Sequence, residues 1–275
     1  MEKCEVLLFG TMADIGERVR ENLTGHGISA VLVDFPQNSF RDPWGYGRKL
    51  FKSIAEYSPR VIFPIGDPLA MAKLRPQIPQ EIIVPISEEA TIELLDSKVR
   101  TYALADELGI PQPRTYTLEE AVLQTQQLIF KRDRSFGGNG VHRPRNQAAL
   151  QNLIAHENGA PCLIEDCIEG EDLSIDCIRL GGRFLAESYV CASRIGTLGP
   201  SVSRSKTTEP AAEQYARTLL DHLDYRGVCG LDFRRTPEGK LYFLECNPRF
   251  TGGLQTQIEE GFHIPYLLYY LCAGL

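Results

Sequence analysis

Hydrophobic positions in the first third of the chain gather in short runs, with helical spacing between them. CEVLLFG (4–10) is an apolar run closed by glycine, and Ile15, Val19 and Leu23 then recur at helical spacing before Gly25 and Gly27. ISAVLVD (28–34) and RVIFPIG (60–66) are further apolar runs, with a helix predicted near 48–57 between them. A helix is predicted to start near Pro68, and EIIVPIS (81–87) reads as a fourth strand. Strands alternating with helices predict a small open parallel sheet over roughly the first 90 residues. The loops at Gly10–Asp14 and Gly66–Pro68 leave the carboxyl ends of its strands and would form one wall of a cleft. The glycines of GTMADIG have the wrong spacing for a dinucleotide fingerprint, so Asp34 is not read as its ribose carboxylate.

The pattern then changes. LLDSKVRTYALADELG (94–109) fits a helix that IPQP (110–113) stops. A strand ending on Lys131 follows, then a helix near 145–156, then the strand-like runs APCLIED, EDLSIDCIRLG and GRFLAESYV. A helix at about 209–223 leads into GVCGLDFRR and KLYFLECNPRF, two runs joined by a TPEG turn. Several strands in a row with few helices between them predict antiparallel structure. The final helix, IPYLLYYLCAGL, is apolar almost all round and must be buried on more than one side. Docking within the chain covers part of it, and a homodimer contact is expected to cover the rest.

The 275 residues are 43% hydrophobic, enough for a substantial core in one large or two to three smaller domains. A formal net charge of -7 argues against a nucleic-acid backbone as the main partner. The eight cysteines form no CxxC pair and read as free thiols in a reducing compartment. MEKCEVLLFG is too short an apolar run for a signal peptide, and no stretch reaches membrane-span length, so a cytoplasmic protein without a membrane partner is expected.

Four stretches carry candidate chemistry. IFKRDRSFGGNGV (129–141) puts Lys131 at the end of a strand and three glycines within four positions after it. That suits a hairpin turn, or a flap whose N–H groups wrap an anion beside the lysine charge, and one loop can be both. In GVCGLDFRRTPEGKLYFLECNPRF (227–250), a hairpin would bring Asp232, Glu245 and Asn247 together, with Glu245 and Asn247 on one face. Such oxygens suit Mg²⁺, and Arg249 beyond them could clamp a phosphoryl group. The alternative is a solvated polar face ended by Pro248. CLIEDCIEGEDLSID (162–176) holds Glu165 inside an apolar strand, where a carboxylate needs a partner. It could seat a purine, with Asp166, Cys167 and Ile168 reading its edge, Ile164 and Ile168 on its faces and Asp172 at a ribose, or it could be surface carboxylates around a turn. CASRIGTLGPSVSRSK (191–206) offers Arg194, Arg204 and Lys206 to a carboxylate or phosphate, or is a solvated loop.

In the order Lys98, Lys131 before a glycine-rich flap, Glu165 to Asp172, then Asp232, Glu245 and Asn247, the chain resembles the ATP-grasp superfamily over roughly residues 95–255. The resemblance implies an α/β fold, α+β in the second half. A small parallel-sheet pre-ATP-grasp domain (1–93) would precede a two-lobed grasp (94–275), the flap-bearing lobe at about 112–168 and the metal-bearing lobe at about 169–275. It implies ATP contacts from Lys98, Lys131, Ser135, Gly137, Gly138, Glu165, Asp166, Cys167, Ile168 and Asp172, to which the basic 191–206 stretch adds Lys206. It further implies Mg²⁺, or Mn²⁺, on Asp232, Glu245 and Asn247, and charge neutralisation by Lys98, Lys131 and Arg249 during transfer, with Arg194 and Arg204 of the 191–206 stretch as further catalytic candidates. The implied reaction joins a small-molecule carboxylate, amino acid-like in character, to an amine through an acylphosphate. A phosphotransferase or a nucleotide-binding regulatory protein is the alternative. Two residues depart from the pattern: Arg132 stands where proline is frequent, and Asp172 where glutamate is usual. Little sequence follows the metal strand, so any further wall of the site is expected to be small or to come from a partner subunit.

Overall fold

The computed structural model describes residues 3–35, 42–135, 138–194 and 201–274, with backbone alone at 192–194 and 201–202. Its first unit runs β1 (Val6–Gly10), α1 (Ala13–Gly25), β2 (Ala30–Asp34), α2 (Pro43–Tyr57) and β3 (Val61–Ile65), a parallel sheet in the order β2-β1-β3. The period of two divides its side chains between two cores. Leu7, Phe9 and Ile62 face one buried cluster, while Val6, Leu8, Val61 and Phe63 face another. A sheet covered on both faces requires the continuous apolar runs seen in its strands. Asp42 caps α2 by accepting from the Gly45 N–H, and Pro43 opens the helix where its missing N–H costs nothing.

EIIVPIS is not a strand. Only Ile83 bridges to Val61, and Pro85 has no N–H to continue a ladder. Its Ile82, Val84 and Ile86 are buried all the same, so the apolar pattern there reports burial rather than pairing. The helix expected over 94–109 is two: α3 (Pro68–Leu74) is followed by α4 (Glu89–Leu95), and α5 (Lys98–Glu107) starts afresh after Ser97, whose hydroxyl accepts from the Arg100 N–H. The break sets Lys98 at the first position of a helix.

Next come α6 (Leu118–Ala121), β4 (Leu128–Arg132), β5 (Val141–His142), α7 (Gln147–His156) and β6 (Cys162–Asp166), with a three-stranded antiparallel sheet in the order β5-β4-β6. Lys131 pairs with Val141, so Gly138 and Gly140 lie in the connection of a β4–β5 hairpin. Gly138 and Gly140 both take positive φ there.

The larger sheet comprises β7 (Glu171–Leu180), β8 (Arg183–Arg194) and β9 (Ser201–Thr207), then, after α8 (Pro210–His222), β10 (Gly227–Arg235) and β11 (Leu241–Asn247). Its order is β11-β10-β7-β8-β9, with every pair antiparallel. The solvated-loop reading of 191–206 is therefore corrected at both ends, which are strand. Leu173, Ile175, Cys177, Leu231, Phe233 and Phe243 share a core with Ala212, Ala216, Leu219 and Leu220 of α8. On the other face Asp172, Ser174, Asp176 and Asp232 form a polar region, while Ile178, Leu180 and Val228 at its far end join the second core.

The chain closes with α9 (Leu254–Glu259) and α10 (Ile264–Ala273). Ile264, Leu268, Leu271 and Cys272 of α10 pack with Val6, Leu8, Val19 and Leu23, and Asn22 of α1 accepts from the Tyr266 N–H at 3.3 Å. The helix is thus buried on several sides by its own chain, and Tyr270 is its one large exposed apolar residue among those described. The half-buried Tyr266 and Leu267 and the exposed Tyr270 leave one side of the helix open to solvent. Among the described residues no helix is long and apolar enough to cross a membrane.

Candidate active site

The polar face of the large sheet and the β4–β6 sheet line a cavity of about 520 Å³, within the usual range for small-molecule sites. Ile129, Lys131, Glu165 and Val141 come from one side, and Asp232, Glu245, Asn247 and Arg249 from the other.

Lys131 and Glu165 are both buried, and their ammonium and carboxylate lie 2.7 Å apart. Tyr102 on α5 donates to the second Glu165 oxygen at 2.7 Å, and the Lys131 ammonium donates to the Tyr102 oxygen at 3.2 Å. An ion pair removed from water stands only when such further bonds satisfy it. Burial first, then the Glu165 charge, pushes the Tyr102 hydroxyl well above its ordinary pKa, so it stays a donor. The partner that the sequence demands for Glu165 is therefore Lys131.

Lys98 donates to the Ser135 carbonyl at 2.6 Å, at the root of the hairpin tip, and lies 3.4 Å from Glu245. Burial would raise the Glu245 pKa, but the Lys98 and Lys131 charges overcome it and hold the carboxyl below its ordinary value. Asp232 and Glu245 are register partners on β10 and β11. The Asn247 amide donates to Glu245 at 3.3 Å, and Arg249 donates to the Asn247 oxygen at 3.3 Å. No group of three or more His, Cys, Asp or Glu able to hold a metal occurs among the described residues. Two carboxylates and an amide oxygen still fit Mg²⁺, which takes hard oxygen donors and keeps positions for water and phosphate oxygens.

A β-bulge follows Asp232, where Phe233 pairs with Phe243 and leaves Leu244 as the extra residue. Leu244 and Glu245 consequently both line the cavity, although strict alternation would point them apart. Cys246 lies 8% exposed beneath, its sulfur 3.1 Å from that of Cys229, which is the core thiol expected.

Asp166, Cys167, Ile168, Asp172 and Gly138 all line the cavity. Asp172 is already paired with Arg234 at 3.0 Å, and Asp166 accepts from Tyr116 at 2.8 Å. Arg204 lines it too, bonded to Asp176 and Ser174. One expectation is corrected. Ile164 points into the β4–β6 core with Tyr116, Leu128 and Phe130, because it alternates with Glu165. Lys206, two residues beyond Arg204 on β9, pairs with Glu187 at 2.7 Å and is not among the residues that line the cavity. Gly137 and the Arg194 side chain lie outside the described residues.

The ATP-grasp domain family model matches residues 95–253. The chain belongs to the ATP-grasp family. A carbamoyl-phosphate synthase of Methanobrevibacter smithii is 23% identical over 265 residues, covering 87% of this chain and 71% of the relative. The arginine-specific carbamoyl phosphate synthase large chain of Bacillus subtilis is 27% identical over 176 residues, covering 58% of this chain. This ATP-grasp chain spans only 17% of that relative's length. The biotin carboxylase domain of Hydrogenobacter thermophilus 2-oxoglutarate carboxylase, solved with MgADP, ADP and bicarbonate, superposes with a TM-score of 0.77 at 18% identity. That match covers 100% of this chain and 71% of the other, and at such identity it establishes a shared fold. Family membership, with enzymes among these relatives, supports an enzymatic role for the ATP-grasp chain.

Sequence reasoning missed Leu244, Tyr102, Arg234 and Thr251 in this site. Leu244 is hidden by the bulge, and Tyr102 reads as one more apolar position on a helix. Arg234 follows from its register opposite Asp172, which needs the β7–β10 pairing to be known. Thr251 lies beyond the last strand, where no periodicity places it.

Proposed function

We propose that this ATP-grasp protein is an ATP-dependent ligase that activates a small-molecule carboxylate and passes the acyl group to an amine. A carboxylate oxygen attacks the terminal phosphorus of ATP, the bond to the bridging oxygen breaks, and ADP leaves. The amine nitrogen then attacks the acyl carbon, phosphate departs with the carboxylate oxygen, and the nitrogen gives up its proton. The observation that carries this reading is Lys131 set against Asp232, Glu245 and Asn247 across one cavity, with Lys98 3.4 Å from Glu245. Carboxylate and triphosphate repel one another, so positioned cations are what the reaction most needs.

In this reading Lys98, Lys131, Ser135 and Gly138 hold the phosphates. Asp166, Cys167 and Ile168 read the adenine edge, and Leu244 and Ile129 cover the ring. Asp172 reaches the ribose together with its partner Arg234. Asp232, Glu245 and Asn247 would hold Mg²⁺, which supplies charge neutralisation to the phosphates when bound. Arg249 and Arg204 meet the anionic substrate. The division of the chain near residue 93 belongs to the same reading, and the family match beginning at 95 supports it. Eight free cysteines support a cytoplasmic setting.

A second reading takes hydrogencarbonate as the activated carboxylate, and the bicarbonate in the matched Hydrogenobacter domain favours including it. The test is ADP release from Mg–ATP over a panel of amino acids and hydrogencarbonate, each with and without an amine, followed by product mass. The proposed reaction requires ADP release that depends on a carboxylate and a product whose mass equals the two substrates minus water. ADP formation at one rate with every panel member and with none would reject it.

A further inference from the structure

Asp176 lies in the middle of the polar sheet face, opposite Gly230 on β10 and Glu187 on β8, and is 1% exposed. It does not line the cavity, yet its two oxygens serve two residues that do. One accepts from the Thr251 hydroxyl at 2.7 Å and the other from Arg204 at 3.2 Å. Arg204 also donates to Ser174 at 3.1 Å, and the buried Gln257 amide donates to Thr251 at 3.0 Å. Three parts of the chain thereby meet on one carboxylate: β7, the edge strand β9, and the turn between β11 and α9.

Steric fit closes the same junction. A Cβ on Gly230 would stand 2.3 Å from the Thr251 methyl, and one on Gly253 would stand 2.3 Å from the Arg204 guanidinium. A side chain at either position would displace Thr251 or Arg204 from this arrangement. Arg249 is two residues before Thr251, on the segment that this junction anchors.

We propose that Asp176 is the positioning residue of the cavity's substrate end. It orients Arg204 and, through Thr251, fixes the turn that carries Arg249, so that the two guanidinium groups meet the anionic group of a carboxylate substrate together. An unpaired guanidinium on the edge strand would be free to swing, and a buried carboxylate holds it because both charges would otherwise stand unsatisfied. The proposal rests on the ligase reading above for its substrate class, but not for the anchoring of the turn.

The test uses the full-length protein with Asp176→Asn, Thr251→Val and Thr251→Ser. Hydrogen exchange across residues 248–257 reads the anchoring without any turnover. D176N and T251V are expected to speed exchange there by roughly tenfold or more while leaving β4–β6 unchanged, and T251S, which keeps the hydroxyl, is expected to match the wild type. Calorimetric affinity for Mg–ATP should stay within about threefold, while KM for the carboxylate that supports ADP release rises by roughly tenfold and kcat moves less. Unchanged exchange in both D176N and T251V would overturn the proposal, as would loss of Mg–ATP affinity in parallel with the carboxylate. If the wild type releases no ADP with any carboxylate, the ligase reading fails, and the exchange and nucleotide measurements still decide the role of Asp176.

Discussion

Glu245 shows how a single residue joins fold and chemistry. It sits on a strand whose neighbours Phe243 and Cys246 are core, and two lysines hold it ionised against the cost of burial. Its pairing with Asn247 was legible because residues two apart share a face. Its approach to Lys98 was not, because that contact joins residues 147 positions apart through the start of α5. Glu245→Gln keeps the size and the bond from Asn247 but removes the charge. It should fold, and magnesium-dependent turnover should drop by about 100-fold, a loss of roughly 3 kcal/mol in the transition state. Steady-state rates across a magnesium titration check this, and full activity in a folded E245Q would remove Glu245 from the ligand set. The buried thiols allow a separate check of the core. Burial pushes the Cys272 thiol up to about 12 and raises Cys177 and Cys229 as well. Alkylation near pH 8 followed by peptide mass analysis should therefore leave these three unmodified in the native protein and modify them after unfolding.

At the scale of elements, alternation predicted which strands exist more reliably than where each side chain points. β7, β8, β10 and β11 follow their apolar runs, and the TPEG turn joins the last two as read. Where prediction missed, a local backbone feature intervened: Pro85 in the would-be fourth strand, Ser97 capping a second helix, and the bulge at Leu244. The bulge matters most, because it supplies an apolar surface beside a metal-type carboxylate from two consecutive residues. Leu244→Ala removes that surface and leaves the Glu245 carboxyl in place. Calorimetry should register Mg–ATP binding weakened by about tenfold, near 1.4 kcal/mol, at the lower end of what a buried leucine contributes. Equal affinity in L244A and wild type would mean that Leu244 does not cover the nucleotide.

For the whole molecule, the sequence order of charged and glycine-rich stretches was enough to suggest the family, since the sites lie in fixed order along the chain. The packing of the last helix was not readable in the same way. α10 is apolar all round because it fills the space between α1 and the large sheet, and only the assembled fold shows what covers it. The cavity likewise exists only once the β4–β6 sheet stands over the polar face of the larger one. The central claim concerns what happens in that cavity: a carboxylate is phosphorylated by ATP. The most direct measurement uses amino acids and hydrogencarbonate labelled with ¹⁸O in the carboxyl group, with Mg–ATP and an amine, and reads the isotope content of the released phosphate. The account predicts one labelled oxygen in the phosphate for each ADP formed, because the carboxylate oxygen leaves with the phosphoryl group. Unlabelled phosphate, its fourth oxygen taken from solvent, at the same rate of ADP release would contradict it.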